Sequence, residues 1–238
     1  PLYSSAASDV YKRQEHIAII PDGNRTWATS QGKPAKYGHY QAYKLMLKLI
    51  DFVFDKTPVK AFTFWWLSTE NLKKRSKEEL DYLYDFALHL KLDLKGIMKK
   101  HQITFKRVGN PVWLPEKAIK QFNELQELYS FPGGKTFIIA INYWWRDEIV
   151  RGIKSRAQTD GNIDTLTEET FGNFLDFKDV PAIDLVIRTK TELASRLSGF
   201  MLRWIGYAEL YFSELHFPDF SPKQLTWALD RFHERAQA

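Results

Sequence analysis

The chain has 238 residues, 44% hydrophobic and 26% charged, with 34 Lys and Arg against 29 Asp and Glu (formal net charge +5) and no cysteine. That length buries one sizeable core, the lack of cysteine excludes disulfides and thiol chemistry, and no run of ~18 apolar residues marks a transmembrane helix. The basic balance favours anionic partners (nucleic acid, anionic lipid or diphosphates) without choosing among them.

Residues 1–14 fit no folded pattern and read as a non-native or disordered segment, leaving 15–238 as one domain. The first strand pattern is Ile17–Ile20, four apolar residues closed by Pro21, which cannot donate to a sheet ladder. Asp22-Gly23-Asn24 is turn chemistry, with Gly23 free to take a positive φ. A carboxylate is thus expected at the C-terminal end of a buried strand, where open α/β sheets bind ligands. Arg25 follows within three residues; acid and base together suit a metal and a phosphate, although a capping Asp in a strand-to-helix turn reads equally well. Further strand patterns fall at Ala61–Leu67, Ile103–Val108, Thr136–Ile141, Leu185–Ile187 and Glu209–Phe212, with helical patterns between most of them. The alternation predicts an α/β fold, a single-domain, mainly parallel six-stranded sheet flanked by helices. Right-handed crossovers then gather Asp22, Ser68, Asn71, Asn142 and Arg188 on one rim. From Lys77 onward, Leu80, Leu83, Ala87, Leu90, Leu94 and Ile97 form one continuous helical stripe, either plain core or one wall of an apolar tunnel.

Three segments join the acidic turn in a recognisable order. They are Leu67-Ser-Thr-Glu-Asn-Leu-Lys-Lys-Arg-Ser76, Asp184-Leu-Val-Ile-Arg-Thr-Lys-Thr-Glu-Leu-Ala-Ser-Arg-Leu-Ser-Gly-Phe200, and Trp204-Ile-Gly-Tyr-Ala-Glu-Leu-Tyr-Phe212. With His16-Ile-Ala-Ile-Ile-Pro-Asp-Gly-Asn-Arg-Thr-Trp27, the set resembles the cis-prenyltransferases, the undecaprenyl diphosphate synthase (isoprenyl transferase) family, over His16 to Arg235. The resemblance implies a magnesium-dependent transferase that condenses isopentenyl diphosphate in cis onto an allylic diphosphate such as farnesyl diphosphate. It also implies a hydrophobic tunnel for the growing chain and a homodimer. The location implied is cytoplasmic, with transient membrane-surface contact for product release. The family commonly continues past the Arg-Phe-His-Glu-Arg segment, so the catalytic domain 15–238 reads as truncated at its C-terminus.

Residue by residue, Asp22 resembles the family's metal and diphosphate aspartate, and Glu209 matches its second metal carboxylate. Arg188, Arg196 and Ser198 match the isopentenyl diphosphate pocket, where guanidinium forks grip phosphate bidentately. His39 matches a histidine beside the diphosphate. Ser68 and catalytic Asn71 match polar groups near the reacting carbons. Gly23, Asn24, Arg25, Trp27 and Arg75 complete the implied substrate-binding set. Asn142 and Arg146 match an N-Y-G-G-R segment. Departures are Thr26 and Ala35 at usual arginine positions, Leu72 in place of an aromatic, Trp144-Trp145 in place of Gly-Gly, and a loop from Arg188 to Arg196 about two residues longer than usual.

Other readings are weaker. A non-catalytic subunit of the Nogo-B receptor type lacks the catalytic aspartate that Asp22 supplies. A nucleic-acid-binding module lacks any RNP, zinc-finger or KH pattern, and no G-x-G-x-x-G or Walker A motif marks a nucleotide enzyme. Trp65 and Trp66 end the second strand pattern, so one indole is expected to face the stripe. The family usually carries a small residue near this place, so the product is expected to be C55 or shorter.

Overall fold

The computed structural model describes residues 15–160, 162–191 and 195–236. The expectations for residues 1–14, for the shortened C-terminus and for part of the long 188–196 loop lie outside the described residues. The first half of the chain runs β1 (His16–Ile20), α1 (Asn24–Ser30), α2 (Ala35–Lys56), β2 (Ala61–Ser68), α3 (Thr69–Lys74), α4 (Lys77–Asp93), α5 (Lys95–His101) and β3 (Ile103–Val108). It continues through α6 (Glu116–Leu128), β4 (Lys135–Tyr143), α7 (Trp145–Asp160), α8 (Glu168–Phe171), β5 (Leu185–Arg188), β6 (Glu209–Phe212) and α9 (Pro222–Ala236).

All six expected strand patterns are strands. They form one sheet in the order β3-β4-β2-β1-β5-β6, and every adjacent pair is parallel. The C-terminal ends therefore share one rim. Side chains alternate between two cores. Ile17, Ile19, Phe62, Phe64, Phe137 and Ile139 face the side packed by α2, α4, α5, α6 and α9. Ala18, Ile20, Ile138, Ala140 and Val186 face the other side, covered by Phe177, Val180, Ile183, Phe200, Met201 and Ile205. Much of that second layer is irregular chain rather than helix.

The alternation breaks once, at the rim. Trp65 pairs with Ala140, Leu67 with Ile141 and Ser68 with Tyr143. Trp66 is an extra residue on β2, so Trp66 and Leu67 both pack toward the first core. One residue later β4 makes the opposite excursion at Asn142, in the left-handed region with φ 48°. The Asn142 amide donates to the Asn110 and Val112 carbonyls at 2.9 and 2.7 Å, pinning the loop after β3.

The stripe expected along one helix is real but is divided. Leu83, Ala87, Leu90 and Leu94 are buried in the first core, with Leu80 and Ile97 at its edge. Leu94 joins α4 to α5 as the C-cap of one and the N-cap of the other. Gly96 follows, a residue that weakens helix interiors by about 1 kcal/mol relative to Ala.

Candidate active site

β1 stops at Pro21, and Gly23 turns the chain at φ 98° as the N-cap of α1. A Cβ on Gly23 would lie 2.7 Å from the His216 ring, so the turn needs glycine for space as well as for φ. The backbone carbonyl of Asp22 accepts from Thr189 Oγ1 at 2.8 Å and from the Phe217 N–H at 3.0 Å. With its backbone fixed on two sides, the half-exposed Asp22 carboxylate points to the rim and meets Arg188, Nη2 to Oδ2 2.7 Å. Arg188 is the last residue of β5 and pairs with Ile20 at the end of β1. Its Nη1 donates to the Arg196 carbonyl and, at 3.1 Å, to Ser198 Oγ.

This arrangement forms one wall of a cavity of about 270 Å³. Asp22, Asn24, Arg188, Arg196 and Ser198 line that wall. Ser68 and Asn71 line it from the end of β2, where Ser68 caps α3 by accepting from the Asn71 N–H at 3.0 Å. His39 on α2 and Arg75 line the opposite wall. Glu70 and Lys74 add an acid and a base to the lining, and Tyr43, Phe64, Trp66 and Leu83 give it an apolar part. Tyr43 stacks on Phe86 (centroids 4.7 Å apart, planes at 11°), and Trp66 stands edge-on to both at 6.0 and 6.3 Å. Tyr43 is fixed further by its hydroxyl, which donates to Asp93 Oδ2 at 2.5 Å. Trp66 is thus the indole on the stripe side, while Trp65 packs against Phe200 at 4.9 Å in the second core.

Glu79, which the motifs did not single out, organises the second wall. It accepts from His39 Nε2 at 2.9 Å and lies 3.3 Å from Arg75 Nη1 and 3.6 Å from Arg25 Nη1. Burial alone would raise its pKa, but Arg75, His39 and Arg25 together hold it below the usual glutamate value. Burial, reinforced by Arg75, lowers the His39 pKa despite the Glu79 bond, so the ring is neutral at pH 7. The only sequence signal for Glu79 is the Ser76-x-x-Glu79 spacing ahead of the apolar stripe, which reads as a helix start.

Several expected residues stand apart from this cavity, among them Asn142, whose amide is bonded to Asn110 and Val112. Trp27 stacks on Tyr37 at 5.9 Å, and its Nε1 donates to Asp219 Oδ1 at 2.6 Å, bracing α1 against the 217–219 turn. Arg146 is exposed over the Trp145 ring. Glu209 opens β6 and pairs with Leu185, three residues before Arg188. In a parallel sheet that puts it about 10 Å down the strand from the rim. Within one chain the strand register thus separates Glu209 from Asp22 along the sheet.

The donor set fits a hard cation held sparingly. No cluster of three or more His, Cys, Asp or Glu able to hold a metal exists among the described residues. Asp22 offers one rim carboxylate next to anion-binding side chains. This is how Mg²⁺ is usually taken, through one or two carboxylates plus substrate oxygens and water.

A family model described as putative undecaprenyl diphosphate synthase matches residues 20–238. An isoprenyl transferase from Thermotoga maritima is 34% identical over 223 residues, covering 93% of this chain and 94% of the relative. A ditrans,polycis-undecaprenyl-diphosphate synthase ((2E,6E)-farnesyl-diphosphate specific) from Vibrio vulnificus is 33% identical, covering 93% and 88%. The crystal structure of lavandulyl diphosphate synthase from Lavandula x intermedia in complex with dimethylallyl diphosphate superposes with a TM-score of 0.86 at 31% identity, covering 94% and 97%. With the rim geometry and these matches together, the chain belongs to the undecaprenyl diphosphate synthase family of cis-prenyltransferases and is a prenyl-transferring enzyme.

Proposed function

We propose that this prenyltransferase joins isopentenyl diphosphate to an allylic diphosphate of farnesyl size or smaller, with Mg²⁺, and releases a product no longer than C55. The observation that carries the reading is the cavity itself. Lys74, Arg75, Arg188 and Arg196 line it together with the carboxylates of Asp22 and Glu70, and apolar side chains line the rest. Arg188, Arg196 and Ser198 hold the diphosphate of the isopentenyl unit. Arg25, His39 and Arg75 hold that of the allylic partner. Ser68 and Asn71 lie beside the reacting carbons. The allylic C1–O bond breaks, the isopentenyl double bond attacks that carbon, one proton leaves, and inorganic diphosphate departs. Asp22 would hold Mg²⁺, whose charge offsets the two diphosphates brought together. Catalysis by the chain's own residues rests on positioning and charge.

The apolar end supports the limit on length. Trp66 and Tyr43 line the cavity with Phe86 packed behind them, and a volume of about 270 Å³ is just below the roughly 300 Å³ at which drug-sized ligand pockets begin. Homodimer formation is supported by the exposed apolar residues at the β6 edge, Leu210, Leu215 and Trp227. Among the described residues no helix is long and apolar enough to cross a membrane, which suits transient surface contact for product release. The test is incubation with labelled isopentenyl diphosphate and a panel of allylic diphosphates, with product length read by reversed-phase chromatography. Absence of incorporation with every primer would overturn the reading.

A further inference from the structure

Glu79 is the third residue of α4, after the N-cap Ser76. A glutamate in that position ordinarily reaches back to the N–H of its own N-cap while the N-cap hydroxyl accepts from the glutamate N–H. Here only half of that exchange exists. Ser76 Oγ accepts from the Glu79 N–H at 3.3 Å, but the Glu79 carboxylate is turned away to His39, Arg75 and Arg25. The Ser76 N–H has no partner among the described residues. The carboxylate has thus left a local donor to sit among three side chains that line or border the substrate cavity.

A diphosphate brought to those same side chains meets a negative charge already hydrogen-bonded to His39 and ion-paired with Arg75 and Arg25. Like charges at this range in a partly buried site repel, and far more strongly than they would in open water. We propose that Glu79 is an internal stand-in for the substrate's anionic group. It occupies the Arg25–His39–Arg75 subsite when that is empty, and yields it to a diphosphate by swinging back to the Ser76 N–H. This rests on the reading of that wall as a diphosphate subsite. Glu79 then sets the affinity of the allylic site without touching the reacting carbons. The move is short, because the alternative donor is on the first turn of the same helix, and the released carboxylate exchanges one set of partners for another instead of being stranded.

The opposite role, in which Glu79 merely holds Arg75 and His39 in position, makes the reverse prediction, so the two separate cleanly. The probe is inorganic diphosphate, titrated calorimetrically into the full chain without substrate. Glu79→Gln keeps the shape and removes the charge; the dissociation constant should fall roughly tenfold, equivalent to ~1.4 kcal/mol. Glu79→Ala should move in the same direction. Arg75→Gln should weaken binding in both the wild-type and Glu79→Gln backgrounds, which places the probe at this subsite.

The return perch has its own test. Ser76 has φ −65° and ψ 155°, and Arg75 before it is extended at φ −82° and ψ 152°, so proline fits at position 76 without backbone strain. Ser76→Pro removes the amide donor and should weaken diphosphate binding severalfold relative to Ser76→Ala, which loses only the hydroxyl. In turnover, Glu79→Gln should lower the KM of the allylic diphosphate and leave that of isopentenyl diphosphate unchanged. Equal or weaker diphosphate binding by Glu79→Gln, with an unchanged melting curve showing a folded protein, overturns the proposal. Tighter binding with no prenyl transfer by wild type upholds the gate and instead overturns the proposed reaction.

Discussion

Asp22 and Arg188 are 166 residues apart in sequence and meet at 2.7 Å across the ends of adjacent strands β1 and β5. The bond couples the expected metal carboxylate to the expected diphosphate guanidinium, so neither group can be altered without exposing the other. Asp22→Ala should reduce turnover by orders of magnitude. The stability cost should stay near 1 kcal/mol, because the Asp22 side chain is 48% exposed and water can replace it at Arg188. Initial rates and urea unfolding check the two halves. A near-normal rate with chelator present would contradict the metal mechanism.

Arg196 is exposed on the cavity wall, and Arg188 donates to its backbone carbonyl, leaving the guanidinium out of that bond. Its side chain is therefore available to substrate. A charge-assisted bond of roughly 1.5–3 kcal/mol implies that Arg196→Ala raises the KM for isopentenyl diphosphate by about 10- to 100-fold, with a smaller effect on the primer. Equal effects on the two substrates would reassign the residue.

Trp66→Ala should open the apolar end of the cavity and lengthen the products, whereas Trp65→Ala, facing Phe200 in the other core, should only destabilise. Loss of a large aromatic from packed surroundings costs about 3–5 kcal/mol when fully buried; Trp66 is partly buried, so its cost should be lower. Chromatography of products from the two variants decides it: unchanged length in Trp66→Ala removes the indole as a limit.

Two buried groups titrate in the same range with opposite sign. Burial pushes Glu148 up to about 7, against the Tyr143 hydroxyl bond at 2.5 Å. Its folded form binds more protons than the unfolded form between about pH 4.5 and 7, so stability from this group is lost as pH rises through that window. Burial pushes His16 down to about 4 while its ring bonds Thr63 and Pro181. There the unfolded form binds the extra proton, and stability is lost as pH falls from 6.5 toward 4. Each is worth ~3 kcal/mol at most. Wild type should therefore show a shallow pH profile. Glu148→Gln should lose stability steeply on acidification, and His16→Gln should lose it as pH rises. Denaturant midpoints from pH 4 to 8 test this; parallel curves for all three proteins would refute it.

Leu210 is 39% exposed on β6, the edge strand of the sheet, with Trp227 45% exposed nearby. If this edge is the dimer surface, Leu210→Glu should convert the protein to monomer in light scattering at micromolar concentration. A wild-type monomer would count against the dimer.

The strands and the rim were legible because they depend on local patterns: apolar runs ended by Pro21, by Ser68 or by a polar residue, in an alternation that allows one sheet class. What the sequence hid depends on partners distant in the chain. Glu79 reads as a helix-start acid because its real partners, His39 and Arg25, lie on other helices. Glu209 carries a motif that marks its identity but not its position along the strand; only the β5–β6 register puts it away from the rim. Trp27 has the motif's identity too, yet its indole is committed to Asp219. The split of the stripe at Leu94 was invisible because both helices keep the same apolar spacing.

The paired excursions at Trp66 and Asn142 behave like a frameshift and its suppressor. From Trp65 to Ser68 and from Ala140 to Tyr143 each strand advances three residues, so the offset opened by one is closed by the other. Deleting Trp66 alone would leave Ser68 out of step with Tyr143 and turn the α3 cap away from the cavity. Deleting Asn142 as well would restore the pairing at the cost of the brace to Asn110 and Val112. Insertions and deletions at this rim are therefore tolerated only in matched pairs, and a lineage that changes the length of one strand end must change the other to keep Ser68 facing the cavity.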